Sequence, residues 1–369
     1  MLLMAGSSPH RLRNWMVAEF SSFPTFEVTI MTAALDVMRF SPRSLLWVTA
    51  TVMALSSLPL TAMAATTLNF AHTHPVEDAQ HLAAEHFAEL VEERSDGELK
   101  IRVFPSGQLG SDSALVSNAR GGQVDIVLTG NPYYTGLVGE LNVLDLPFLF
   151  DSYEHAYAVL DGEVGQSLLD LLGEQDLKGL AFWEIGFRNL TNSRHTVESA
   201  ADIEGLKLRT TPNPAHIAAF EVLGANPIPM PFTELFTAME TRTVDGQENP
   251  VSLIRSANFY EVQDHLSLTA HAYTAAPLVM NKAKFDGLSA EQQQLLVQAA
   301  LDAAQFEREE LAERLTGDLA FLKEQGMQIV EEPDRASMRE VVAGPVQASF
   351  TEKYGSELIN AIDAARPAE

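Results

Sequence analysis

The chain has 369 residues, 46% hydrophobic and 20% charged, a globular composition long enough for two domains with a large core. It holds no cysteine, which excludes disulfides, thiolate metal sites and cysteine nucleophiles. With 24 basic against 50 acidic residues the net charge is −26, which argues against nucleic acid or an anionic membrane as partner.

From Met38 the residues read as a secretory signal peptide, 38–64. Arg39 and Arg43 form a basic start, Leu45 to Leu60 a mostly apolar stretch, and Ala62-Met63-Ala64 a small-x-small cleavage site before Ala65. A membrane anchor is disfavoured, because Ser56, Ser57 and Pro59 interrupt a stretch that is short for a span. Met38 is taken as the true start and residues 1–37 as a spurious upstream extension. The rest has no other segment apolar enough to cross a bilayer, so the mature protein is expected to be soluble in the periplasm. The acidic balance suits a halophilic source and an ordinary exported protein equally.

Leu68 and Phe70 open a short strand, followed by the polar turn His72 to Asp78. Ala79, Leu82, Ala83, Phe87, Leu90 and Val91 then recur at helical spacing until Ser95-Asp96-Gly97. Leu99, Ile101 and Val103 alternate as a strand closed by Pro105-Ser106-Gly107. A helix from about Ser113 to Arg120 leads through Gly121-Gly122 to an apolar strand, Val124 to Leu128. This alternation predicts a mainly parallel sheet covered by helices. Further on, Leu180 to Ile185 and Ile203 to Arg209 contain strands, Ala215 to Leu223 a helix, and Thr233 to Met239 a helix-like stretch. Ser289 with Gln292 forms a capping-box pattern that starts a helix running to Glu324, long enough to span two lobes.

Four polar segments could carry chemistry. Arg188 follows an apolar strand, and Arg209 ends one just before Pro212-Asn213-Pro214. Arginine at a strand end faces the crevice where α/β proteins gather ligands, and its planar fork suits a carboxylate. Spacing alone fits surface ion pairs as well. Asn249 closes the polar run Val244 to Pro250 and offers both donor and acceptor, although the run also reads as an ordinary turn. His72 and His74 sit two apart with Glu77 nearby, too few ligands for a zinc site. No phosphate loop, nucleophile elbow or HExxH motif is present, and no catalytic residue, metal or cofactor is assigned.

Leu223 to Pro250 (LGANPIPMPFTELFTAMETRTVDGQENP) and Phe259 to Thr269 closely resemble the DctP-type solute-binding proteins of TRAP transporters. PSGQLG (105–110), DLPFLF (145–150), GFRNLTNS (186–193) and DIEGLKLRT (202–210) extend the resemblance over essentially the whole mature chain. It implies a two-lobe, type II-like periplasmic-binding-protein fold with hinge strands and a long helix lying across both lobes. Lobe one would hold 66–185 with 275–314, and lobe two 186–274 with 315–369. By the same resemblance Arg209 makes the main salt bridge to a ligand carboxylate, Arg188 is a second pocket arginine, Asn249 contacts ligand with Glu248 in support, and Phe232 lines the pocket. His72, Glu77, Asn131 and Tyr273 are looser matches expected to contribute ligand contacts. Thr211 stands where many relatives carry proline.

The expected protein is a monomeric receptor that closes on a small carboxylate and passes it to TRAP membrane subunits. The favoured ligand is a sugar acid, a uronate or aldonate, with a C4-dicarboxylate or 2-oxo acid as the alternative within the family. A periplasmic sugar-acid lyase and a ligand-sensing module for a receptor kinase are the alternatives outside it.

Overall fold

The computed structural model describes residues 65–367, so the expected signal peptide 38–64 and the expected upstream extension 1–37 lie outside the described residues. The first lobe begins with β1 (Thr66–His72), α1 (Ala79–Arg94), β2 (Leu99–Phe104), α2 (Asp112–Arg120) and β3 (Ile126–Leu128). Asp78 starts α1 by accepting from Gln80 N at 3.1 Å, and the left-handed Asp96 and Gly97 end the chain's helical path just beyond it. Two helices follow, α3 (Tyr153–Leu160) and α4 (Glu163–Leu171), and then the 16-residue β4 (Leu177–Asn192). The second lobe adds β5 (Lys207–Thr210), α5 (Pro214–Val222), β6 (Asn226–Pro229), α6 (Phe232–Glu240), β7 (Gly246–Asn249) and α7 (Val251–Ser256). The 17-residue β8 (His265–Asn281) leads through α8 (Lys282–Asp286) to α9 (Ala290–Glu324), β9 (Gln328–Val330), α10 (Arg335–Tyr354) and α11 (Glu357–Ala364).

The strands form one nine-stranded sheet in the order β2-β1-β3-β8-β4-β7-β5-β6, with β9 also on β8. The expectation of a mainly parallel sheet holds only within each lobe. There β1 pairs in parallel with β2 and β3, and β5 with β6 and β7. In the centre β4 and β8 run antiparallel to each other as a long two-stranded ribbon. One end of this ribbon carries β3 on Leu278 to Met280; the other carries β7 on Asn189 to Asn192 and β9 on His265 to Ser267. Local pattern hides this, because β4 and β8 are buried along most of their length and lack an alternating signature.

Midway along the ribbon the register shifts between Glu184 and Gly186, opposite Ala275 and Thr274. Gly186 sits at φ +110°, and a Cβ there would lie 3.2 Å from Glu184 Oε1. Gly186→Ala is therefore expected to cost about 1–3 kcal/mol of stability, measured by urea unfolding. No loss would mean that the ribbon tolerates a side chain at this kink.

The 35 residues of α9 span about 52 Å. Its start is the capping box expected from Ser289 and Gln292, with each side chain 3.2 Å from the other's backbone N–H. Leu296, Ala299, Ala300, Ala303 and Ala304 pack into the lobe-one core with Phe87 and Trp183, whereas Leu322 packs into the lobe-two core with Leu235 and Phe259. The helix therefore bridges both lobes. The C-terminal helices contact both as well: Met338, Val342 and Phe350 share a core cluster with Leu141 and Phe220, and His155 Nε2 meets Ile362 O at 2.9 Å.

Candidate functional site

Arg209 and Arg188 are among the largest fully buried side chains, each 1% exposed. Arg209 lies near the carboxyl end of β5, where its neighbours are Ile228 of β6 and Gln247 of β7. Its Nε and Nη2 donate to Met230 O at 3.1 and 2.9 Å, and Nη2 donates to Tyr133 OH of the other lobe at 3.4 Å. It has no salt bridge among the described residues. A buried guanidinium keeps its charge and is costly without a counter-ion.

Arg188 is the opposite case. Its Nε donates to Glu248 Oε2, and Nη2 donates to Glu248 Oε1 (3.1 Å), Glu248 O (2.6 Å) and Asn249 Oδ1 (3.0 Å). Nη1 reaches Thr274 Oγ1 at 3.3 Å. Burial alone would raise the Glu248 carboxyl, but the Arg188 charge and the His271 ring outweigh it and hold it well below the ordinary carboxylate range. Strand pairing of β4 with β7 builds this ion pair, since Leu190 lies opposite Glu248 and Asn189 opposite Asn249.

These groups meet in a small cavity of about 30 Å³ between the lobes. Lobe one contributes Thr73, His74, Asp112, Gly130, Pro132 and Tyr133; Arg209, Thr211, Phe232, Asn249 and Leu253 come from the other lobe, and Ile185, Arg188 and Thr274 from the ribbon. The His74 and Phe232 rings stack across the gap with centroids 6.1 Å apart and planes 16° from parallel. Nearby, Asn213 Nδ2 donates to Asp145 Oδ2 (2.8 Å) and Ser256 Oγ to Asp78 Oδ2 (2.9 Å), so further polar contacts join the closed lobes. A larger groove of about 340 Å³ runs between the ribbon and α9. Arg308 is the one basic residue lining it, and Asp161 already neutralises that charge at 2.6 and 2.9 Å. The smaller cavity holds the uncompensated cation.

The structure thus brings Arg188, Arg209, Phe232 and Asn249 to one cavity wall, with Glu248 directly behind Arg188. It does not bring the four looser matches there. His72 turns into the lobe-one core against Phe70, its Nε2 sits 3.2 Å from His81 Nδ1, and burial pushes its pKa down to about 3. Glu77 is exposed and offers only its carbonyl, to Arg314 at 3.1 Å. Asn131 ties its own loop together by donating to Leu141 O (2.8 Å) and Asp145 Oδ2 (2.7 Å). Tyr273 donates to Glu184 Oε2 at 3.0 Å, and burial raises that carboxyl to about 7. Among the described residues no group of three or more His, Asp or Glu is placed to hold a metal ion, and no helix is long and apolar enough to cross a membrane.

Residues 70–353 match the model of the DctP family, described as bacterial extracellular solute-binding protein, family 7. The chain belongs to the DctP family. Among DctP relatives, the 2,3-diketo-L-gulonate-binding periplasmic protein YiaO of Escherichia coli is 43% identical over 314 residues, covering 85% of this chain and 96% of its own. The fold matches the sugar acid binding protein DctPAm of Advenella mimigardefordensis in complex with galactonate (42% identity, TM-score 0.79, 82% of this chain and 98% of that one). It matches equally a TRAP periplasmic solute-binding protein from Polaromonas bound to D-erythronate (38% identity, TM-score 0.80, 82% and 100%).

Within this DctP fold the cavity-lining Thr73, Asp112, Tyr133 and Thr274 were not singled out by sequence as site residues, and His74 was noted only beside His72. Three of these lie one or two positions from residues that were: Thr73 from His72, Tyr133 from Asn131, Thr274 from Tyr273. Neighbouring residues of a strand point to opposite faces, which accounts for the Tyr273 and Thr274 pair on β8.

Proposed function

We propose that this chain is the extracytoplasmic receptor of a TRAP transporter and that it binds a hydroxylated monocarboxylate, a sugar acid of the aldonate or uronate class. The observation that carries the reading is the unpaired, buried guanidinium of Arg209 on the wall of a cavity between two lobes. A ligand carboxylate supplies its counter-ion through two parallel charge-assisted hydrogen bonds. Arg188 is already neutralised by Glu248, so the cavity offers one uncompensated guanidinium and favours one carboxylate over two. The relatives that bind 2,3-diketo-L-gulonate, galactonate and D-erythronate favour the same class.

Ligand enters when the lobes part along the β4–β8 ribbon, and closure expels water and strengthens every hydrogen bond inside. The net charge of −26 does not prevent anion capture, because salt screens carboxylates beyond roughly 8–10 Å. Export by the signal peptide 38–64 places the receptor in the periplasm, where it hands its cargo to the TRAP membrane subunits as a monomer. It works by binding and release, without turnover.

A thermal-shift and calorimetric screen of D-galactonate, D-erythronate, D-glucuronate, succinate and neutral galactose tests this. An aldonate or uronate is expected to bind one to one and to be recovered unchanged. At a hundredfold excess over Kd it stabilises the fold by about 2.7 kcal/mol. Preference for succinate or galactose, or chemical conversion of the acid, would contradict the proposal.

A further inference from the structure

We propose that Asp112 is a specificity-determining residue, its carboxylate receiving a hydroxyl of the same ligand whose carboxylate rests on Arg209. The inference builds on the sugar-acid reading above and names the second end of that ligand.

Asp112 opens α2 in lobe one, is 3% exposed, and lines the cavity with Arg209. Its Oδ1 accepts from Thr73 Oγ1 at 2.8 Å, which fixes the carboxylate plane. Its Oδ2 is buried and has no hydrogen-bond partner among the described residues. Asp112 also makes no salt bridge there. A buried carboxylate oxygen without a donor is unfavourable, and an ionised carboxylate can only accept. The partner that satisfies it therefore carries an O–H or N–H group.

The two walls differ in charge, with the cation of Arg209 on one lobe and the anion of Asp112 on the other. A ligand that bridges them has a carboxylate at one end and a hydroxyl donor at the other, the chemistry of a polyhydroxy acid. A dicarboxylate would instead bring a second anion against Asp112 in a space closed to water, where like charges repel strongly. Burial raises the Asp112 carboxyl above its ordinary value, and the Thr73 hydrogen bond and the Arg209 charge offset only part of that rise. Asp112 also sits in the first turn of a helix, where an acid is favourable in any case. That role needs neither Thr73 nor a place on the cavity wall.

The test is calorimetry of the mature protein and of Asp112→Asn and Asp112→Ser with D-galactonate, its monodeoxy analogues and succinate. Serine is a second replacement suited to a helix start, in case the amide perturbs folding, and thermal unfolding verifies both variants. Each variant is expected to bind galactonate at least tenfold more weakly. One deoxy analogue should bind the wild type at least tenfold more weakly than galactonate does, yet bind the variants as well as galactonate does. Variants within threefold of wild type for galactonate would overturn the role of Asp112 while leaving the Arg209 anchor intact. A wild-type protein that binds no aldonate or uronate would overturn both.

Discussion

Arg209→Ala is expected to remove measurable binding, weakening a sugar acid roughly a thousandfold or more, while the protein stays folded. The loss is large because a charge-assisted contact inside a closed cavity is worth about 2–5 kcal/mol when one partner is truncated. The fold survives because, among the described residues, Arg209 hydrogen-bonds only Met230 O and Tyr133 OH and makes no salt bridge. Removing a buried cation without a salt bridge also relieves a desolvation cost, so the unliganded variant should melt no lower than wild type. Arg209→Lys keeps the charge but not the two-pronged geometry and should still lose at least about tenfold. Calorimetry with the tightest acid from the screen, together with thermal unfolding, checks both halves. Near-normal affinity in the alanine variant would remove Arg209 as anchor.

Glu248→Gln has the contrasting expected result, a loss of stability of about 3–5 kcal/mol, because it leaves the Arg188 guanidinium buried without its counter-ion. The effect has a pH signature. The folded-state pKa of Glu248 lies below its unfolded value of about 4.3, so its stabilising contribution is complete above that value. It is lost as pH falls towards the folded pKa, which means the wild type is the one that weakens in acid. The gap between wild type and variant in urea unfolding is therefore widest at neutral pH and narrows in strong acid. A gap below about 1 kcal/mol at pH 7 would mean that Arg188 finds another partner or hydrates.

The contrast between these two arginines was only partly visible in the sequence. Both stand near strand ends, and spacing alone suited surface ion pairs; the family motifs marked Arg209 as the main carboxylate anchor and Arg188 as a second pocket arginine, without showing that Arg188 is already neutralised. What separates them is strand order. Pairing of β4 with β7 sets Glu248 against Arg188, whereas Arg209 on β5 meets only a carbonyl and a tyrosine. The local elements were legible because their signals are local: the capping box at Ser289, the glycine stop after α1, and the alternation in β2. The β4–β8 ribbon was not, since its pairing joins residues as far apart as Leu177 and Asn281 and neither strand alternates in burial along its length. Side-chain direction in loops was equally hidden. His72 and His74 look alike in a polar turn, yet one packs on Phe70 and the other stacks on Phe232. Asp112 passed unnoticed because an acid at a helix start is unexceptional.

The most direct measurement is a crystal structure of the mature protein grown with D-galactonate. The account predicts the ligand carboxylate within hydrogen-bonding distance of two Arg209 nitrogens, in the cavity that Phe232 and Asn249 line. A carboxylate bound elsewhere, with the Arg209 guanidinium still facing only Met230 and Tyr133, would contradict it.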